Sequence, residues 1–191
     1  MTTTPCPSAE HYARVPEADD APPITTEDRG FVKSAGSCFK VVEARRSWQA
    51  SRKLCKAVGG RCADLGVPQC SFQNAATLEL ARSNRTLMRI GQLIEDDHSK
   101  HIWMGYSQVG LEFRAVRPNV RDWTLPWRYP EPNHLEEKTE PCVDMYLVGN
   151  LNGTWNNVDC NKSMLAAVCE IPMVSSRIGC QRMSTKLRTH P

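Results

Sequence analysis

Apolar positions come in short groups separated by polar runs, and their spacing changes along the chain. Between Ser47 and Gly60 the spacing is helical. Trp48, Ser51, Leu54, Cys55 and Val58 fall on one face, Ser47 is a good N-cap, and Gly59-Gly60 is a stop. A second helix is predicted to start between Phe72 and Asn74, with Leu78, Ala81 and, at its margin, Leu80 facing inward. Short apolar runs predict strands at Cys38 to Val42, Ile102 to Tyr106, Val143 to Leu147, Thr154 to Val158 and Ala166 to Ile171. Cys62 to Pro68 is expected to be an extended segment and turn, and Glu95 to His98 a polar loop. Residues 107–141 carry six prolines or glycines and no helical pattern, which predicts long loops. Long loops inside a compact domain usually carry function. Trp48, Trp103 and Trp155 are expected to anchor the core. These patterns divide the chain into an irregular segment (1–30), an ordered domain (31–172) and a basic, loosely ordered tail (173–191).

Composition narrows the class. The chain of 191 residues is 40% hydrophobic and 24% charged, which is ordinary for a globular domain. Its mean hydropathy is −0.47, and stretches such as Met164 to Cys169 are far below the roughly 20 residues a membrane span needs. A net charge of +3 gives no reason to expect nucleic acid. The basic tail residues Arg177, Arg182, Lys186 and Arg188 serve either solubility or an anionic glycan or surface. The nine cysteines are dispersed, and no CxxC pair occurs, against a zinc ribbon or a thioredoxin-type site. They read as a disulfide framework from an oxidising compartment, with an odd thiol left over. Sequons at Asn84, Asn152 and Asn161 point the same way, although Met1 to Ala18 shows no apolar signal-peptide region. The expected location is extracellular.

The long-loop region gathers oxygen donors. Glu131-Pro132-Asn133 is followed by Glu140 just before Cys142, and Trp155-Asn156-Asn157 lies just before Cys160. Carboxylates and carboxamides are hard donors of the kind Ca²⁺ prefers. His98 and His101 are a second, weaker metal candidate. No Ser/His/Asp or Cys/His arrangement is apparent, so the chain is not expected to be an enzyme.

The order Cys38-Phe39, Trp48 to Cys55, Trp103-Met104-Gly105-Tyr106, Glu131-Pro132-Asn133, Cys142, Trp155-Asn156-Asn157, Cys160 and Cys169 resembles the C-type lectin-like domain. The resemblance covers about residues 31–172. It implies an α+β fold in which two helices flank small antiparallel sheets. It implies disulfides Cys55–Cys169 and Cys142–Cys160, and a bridge of the family's long form fits Cys6 with Cys38. Cys62 is either a buried thiol or half of a local Cys62–Cys70 bridge, which leaves Cys180 for a disulfide-linked dimer. The resemblance further implies Ca²⁺-bridged sugar binding, with Glu131, Asn133, Glu140, Asn156 and Asn157 as ligands of both metal and sugar. Glu131 with Asn133 matches the family's EPN motif, which suits mannose, N-acetylglucosamine, glucose or fucose, in extracellular recognition or innate defence. The Glu131–Pro132 bond is often cis in such sites.

Two departures qualify that picture. Asn157 stands where the family usually has aspartate, which removes one negative charge from the site. The spacing from Glu131 to Glu140 is one residue longer than the commonest, so Glu136 or Glu137 competes as a ligand. The auxiliary calcium site is not expected, because Gln108, His134 and Pro141 stand where acids are needed. Trp123 and Trp127 either stack on a sugar face or pack under the loop. The alternative function is a calcium-independent protein-interaction module on the same fold.

Overall fold

The computed structural model describes residues 30–34, 37–60, 62–93, 100–118, 120, 123–161 and 165–172. The expected irregular segment apart from Gly30, the 95–98 loop and the tail from Met173, with Cys6, His98 and Cys180, lie outside the described residues. Among the described residues, eight strands and three α-helices follow in the order β1 (Val32–Ser34), β2 (Ser37–Arg46), α1 (Trp48–Gly59), β3 (Asp64–Leu65), α2 (Ser71–Ser83), α3 (Arg85–Leu93), β4 (His101–Val109), β5 (Glu112–Ala115), β6 (Cys142–Tyr146), β7 (Trp155–Val158) and β8 (Leu165–Pro172). The strands form one sheet in the order β1-β2-β8-β4-β6-β7, with β3 on β8 and β5 on β4. Neighbours are antiparallel except β4 and β8, which run parallel through Ile102↔Ala166 and Trp103↔Ala167. The α+β fold that the resemblance implies is the one observed, and parallel β4/β8 pairing joins its antiparallel strands into a single mixed sheet.

The pleat explains two packed faces. Successive side chains on a strand point to opposite sides. Ile102, Met104 and Tyr106 of β4 join Ala166 and Val168 of β8 in one cluster with Trp155, Val143 and Met145. Trp103, Leu165, Ala167 and Cys169 join Trp48, Cys55 and Leu65 in the other. All three tryptophans expected as anchors are buried. Trp48 Nε1 donates to the Met104 carbonyl at 2.8 Å, and Trp103 Nε1 to the Arg46 carbonyl at 2.7 Å, so their polar edges are satisfied.

Helix α1 lies as the pattern predicts and buries Trp48, Ser51 and Cys55, with Leu54 and Val58 half-buried. Its start differs. Ser47 makes no side-chain cap bond; instead the Trp48 N–H donates to the Cys160 carbonyl at 3.0 Å. Helix α2 starts at Ser71 and buries Gln73, Asn74, Thr77 and Ala81, with Leu78 and Leu80 half-buried, so its inner face is partly polar. A third helix begins where Asn84 Oδ1 accepts the Leu87 N–H at 2.9 Å. That contact is an N-cap bond, and it starts α3 one residue after α2 ends.

Cystines tie this frame. Cys55–Cys169 pins α1 to β8 across 114 positions, and Cys142–Cys160 links β6 to the chain just after β7 across 18. In the chain-entropy picture the two stabilise by about 5 and 3 kcal/mol. Cys62 and Cys70 are also disulfide-bonded. Cys38 is buried at the β1–β2 end of the sheet.

Gly105 marks a close backbone approach. Its N–H donates to the Gly66 carbonyl at 2.8 Å, and its carbonyl accepts the Val116 N–H at 2.9 Å. A Cβ at this position would lie 2.6 Å from the Leu65 carbonyl oxygen. Only glycine lets β4 pass the 65–67 segment this closely.

Candidate functional site

The long loops leave β5 at Ala115 and return at β6, and named side chains hold them down. Arg117 Nη2 donates to Glu170 Oε1 at 2.8 Å and to the Val67 carbonyl at 3.2 Å. Glu170 is buried on β8 and also accepts the Ser37 hydroxyl at 2.6 Å and the Val67 N–H at 2.7 Å. Buried carboxylates persist only with such partners. The next stretch packs its tryptophans inward. Trp123 and Trp127 meet Trp155 edge-on at 5.6 and 6.2 Å, and Trp127 meets Phe113 at 4.9 Å. Trp123 Nε1 donates to the Tyr106 hydroxyl at 3.2 Å. Of the two roles open to these tryptophans, packing under the loop is the one observed. Burial pushes the Tyr106 phenol up to about 12, and its hydroxyl donates to the Pro68 carbonyl at 2.6 Å.

The chain then turns through Tyr129, which is 93% exposed, into Glu131-Pro132-Asn133. Both the Tyr129–Pro130 and Glu131–Pro132 bonds are cis. Arg128 lies over the Tyr146 ring and donates from Nη1 to the Tyr146 hydroxyl at 2.7 Å, while its N–H donates to the Trp155 carbonyl. This fixes the segment just before Glu131 against β6 and β7. On the far side, Gln108 Nε2 donates to the Leu135 carbonyl at 2.6 Å, and the Gln108 N–H donates to the Pro141 carbonyl at 2.8 Å. The β4–β5 hairpin thus braces the 131–140 loop. Gln108 is therefore a brace where an acid would be a ligand.

Four of the five expected ligands are linked by hydrogen bonds that join the side chains of Glu131 and Asn157 to the backbone of Asn133 and Glu140. The Asn133 N–H donates to Glu131 Oε2 at 3.2 Å and to Asn157 Oδ1 at 3.0 Å. Asn157 Nδ2 donates to the carbonyls of Asn133 and Glu140, at 2.8 and 3.2 Å. Asn156 follows on β7, opposite Asp144 of β6. The Glu131 carboxyl is pushed up from the usual range, chiefly by burial and further by Glu140; the Asn133 N–H and Arg128 oppose this. Asn133 Oδ1 is buried and has no hydrogen-bond donor. Asn157 is only 2% exposed, and its carboxamide is spent on loop backbone.

The competing residues lie elsewhere. Glu136 and Glu137 are exposed, and Glu137 faces His134 at 4.0 Å. His101 is buried, with Nδ1 at 3.1 Å from Asp144 Oδ2 and its ring against Tyr146. Among the described residues no group of three or more His, Cys, Asp or Glu side chains forms a metal cluster. The 131–157 arrangement differs from such clusters in kind: it has two carboxylates, and its remaining donors are carboxamides. That mixture suits a hard, oxygen-seeking cation and does not suit a transition metal.

Comparison with known proteins agrees with this architecture. Human C-type mannose receptor 2 is 29% identical over 137 residues, covering 71% of this chain but only 8% of the receptor. The chain thus spans a small part of the curated relatives it matches. Among solved structures, the cow CD23 C-type carbohydrate-recognition domain, in the presence of a GlcNAc2Man3 oligosaccharide, superposes with a TM-score of 0.56 at 17% identity. It covers 76% of this chain and 95% of that one. The Ca²⁺-independent C-type lectin SPL-2 of Saxidomus purpuratus superposes with a TM-score of 0.54 at 19% identity, covering 76% and 94%. At such identities the two structures attest the fold alone. A profile of the lectin C-type domain matches residues 44–171, from the end of β2 to the end of β8, and on that match the chain belongs to the C-type lectin domain family.

Proposed function

We propose that this domain binds glycans outside the cell through a calcium ion held by the 131–157 loop, with mannose, N-acetylglucosamine or fucose as the sugar class, and that it is a binding module and not an enzyme. The observation that carries the reading is Asn133 Oδ1. It is a buried acceptor without a donor, on a residue whose N–H contacts a Glu131 carboxylate unsettled by burial and by Glu140. A cation among these oxygens supplies what each lacks. Glu131, Asn133, Glu140 and Asn156 are the residues that would hold it. Bound calcium supplies open coordination positions for two neighbouring sugar hydroxyls. Around them, a carboxylate such as Glu131 accepts a hydroxyl proton, and a carboxamide such as Asn133 donates an N–H. The name of human C-type mannose receptor 2 supports the sugar class. The cystines and the exposed sequon residues Asn152 and Asn161 support an extracellular setting. Affinity per site is weak because few atoms touch the sugar, so avidity through several copies follows, for which a Cys180 disulfide is the proposed link.

The test is retention on mannose- and galactose-agarose with Ca²⁺, followed by elution with chelator. Free galactose competing better than mannose would overturn the sugar class. A calcium-independent interaction module is the second reading, favoured by the Asn157 carboxamide being occupied by backbone. Heat-free calcium titration together with a protein ligand bound in chelator would establish it.

A further inference from the structure

We propose that Asn157 is a positioning residue: its carboxamide locks the 131–140 loop in its binding shape before any metal arrives. One side chain reaches both ends of the loop. Oδ1 accepts the Asn133 N–H at 3.0 Å, and Nδ2 donates to the Asn133 carbonyl at 2.8 Å and the Glu140 carbonyl at 3.2 Å. The side chain is buried on β7, whose register against Val143 of β6 is fixed by the sheet and by the neighbouring Cys142–Cys160 bridge. The clamp therefore has a fixed base and holds a loop in which His134 and Lys138 both take left-handed φ, at 48° and 54°, a conformation costly for residues with a Cβ. Within the loop, the Lys138 N–H donates to the His134 carbonyl at 3.2 Å, and the Asn133 N–H to Glu131 Oε2 at 3.2 Å.

The chemistry depends on the amide group. Two carbonyl oxygens converge on Nδ2, and each needs a donor or a positive charge. A carboxamide brings two N–H donors and one acceptor, and this site uses both functions. An ionised aspartate of the same shape brings acceptors alone. It would keep the Asn133 N–H but set an anionic oxygen against the Asn133 and Glu140 carbonyls. Only a cation or a proton between them would relieve that contact. The residue at 157 thus decides whether loop shape depends on metal, and asparagine makes it independent. A corollary, resting on the calcium-lectin reading above, is that the ion is met by Glu131, Asn133 Oδ1, Glu140 and Asn156 while the Asn157 carboxamide stays on the backbone.

Hydrogen exchange on the full chain tests this, read by mass spectrometry over peptides covering residues 131–140. In the parent, protection should be the same within about twofold in chelator and in millimolar Ca²⁺. Asn157→Asp should lose at least tenfold protection there in chelator, since two donated hydrogen bonds are gone, and regain it in Ca²⁺. Peptides from β4 and β8 in the same samples report whether the variant folds; if it does not, the parent's two conditions decide alone. A parent loop that gains protection only with Ca²⁺, or a folded aspartate variant as protected in chelator as the parent, overturns the clamp. Calorimetric titration of the parent with Ca²⁺ separates the two ideas. Absence of binding heat sinks the calcium reading and leaves the clamp standing.

Discussion

Glu170→Gln should destabilise the domain by about 3 kcal/mol, although it changes one atom. Glu170 is 1% exposed, with Oε1 accepting from Ser37 and Arg117, and Oε2 from the Val67 N–H. A glutamine has one acceptor oxygen for these two places. With the oxygen at the Oε1 position, the new NH₂ points at the Val67 N–H. In the flipped pose it points at Arg117, which cannot accept. Each pose strands at least one buried donor, at about 1–3 kcal/mol. Each also leaves the Arg117 guanidinium, 15% exposed, without its counter-charge. Breaking such a pair by removing one partner typically costs about 3–5 kcal/mol, and the neutral amide recovers part of that. Glu170→Leu should therefore cost more than Glu170→Gln, and Glu170→Leu with Arg117→Leu less than Glu170→Leu alone. The assay is equilibrium urea unfolding with cystines intact, followed by tryptophan fluorescence. All variants share the same cross-links, so the unfolded-state term cancels. A Glu170→Gln variant within 0.5 kcal/mol of the parent, or a double variant no better than the single, would refute the argument.

Three further outcomes follow. Glu131 holds its proton more tightly than an ordinary glutamate; if it is a calcium ligand, as proposed, protons compete with the ion at higher pH than usual, and apparent calcium affinity, measured by calorimetry at stepped pH, should fall as pH drops towards and through that raised range, while the metal-free fold, relieved of a buried charge, gains slightly over the same interval. Tyr106 should ionise near 12, by absorbance at about 295 nm; because the unfolded phenol ionises first, near 10, the folded state loses stability as pH climbs between the two, by about 2–3 kcal/mol at the end. If Cys180 links two copies, Cys180→Ser should abolish the dimer band on a non-reducing gel, and an unchanged band would remove that assignment.

Sequence patterns reveal this fold where one face is apolar over a full element. Helix α1 and strands β4, β6 and β8 meet that condition, and their centres lie where the pattern puts them. Strand β5 does not: Glu112 and Arg114 are exposed, and only Phe113 and Ala115 turn inward, so its signal is two residues long. Strand β1 spans three residues and signals even less. Helix α3 hides behind Asn84, whose sequon draws attention away from its N-cap role. At the candidate site, the short motifs put forward Glu131, Asn133, Glu140, Asn156 and Asn157, and hydrogen bonds link all of these but Asn156. What Asn157 does there is not legible, because it depends on carbonyls from two distant positions of the loop. The Arg117–Glu170 brace is hidden for the same reason, since 53 positions separate its partners.

The pairing of β2 with β8 has a mechanical consequence. Ser37 lies opposite Pro172, so β2 begins and β8 finishes at the same end of their pair. Tension applied there loads the β2–β8 hydrogen bonds one at a time, in a zipper, and should peel the strands at low force. The peel meets Cys169 within a few residues, and the covalent bond to Cys55 then carries the load. The slack released on the β2–α1 side is on the order of 60 Å of extended backbone. Everything between Cys55 and Cys169, including the Glu131–Asn157 loop, lies in the shielded branch. Tension applied at Ser37 and Pro172 can therefore stretch the base of the domain while the Glu131–Asn157 loop experiences no pull.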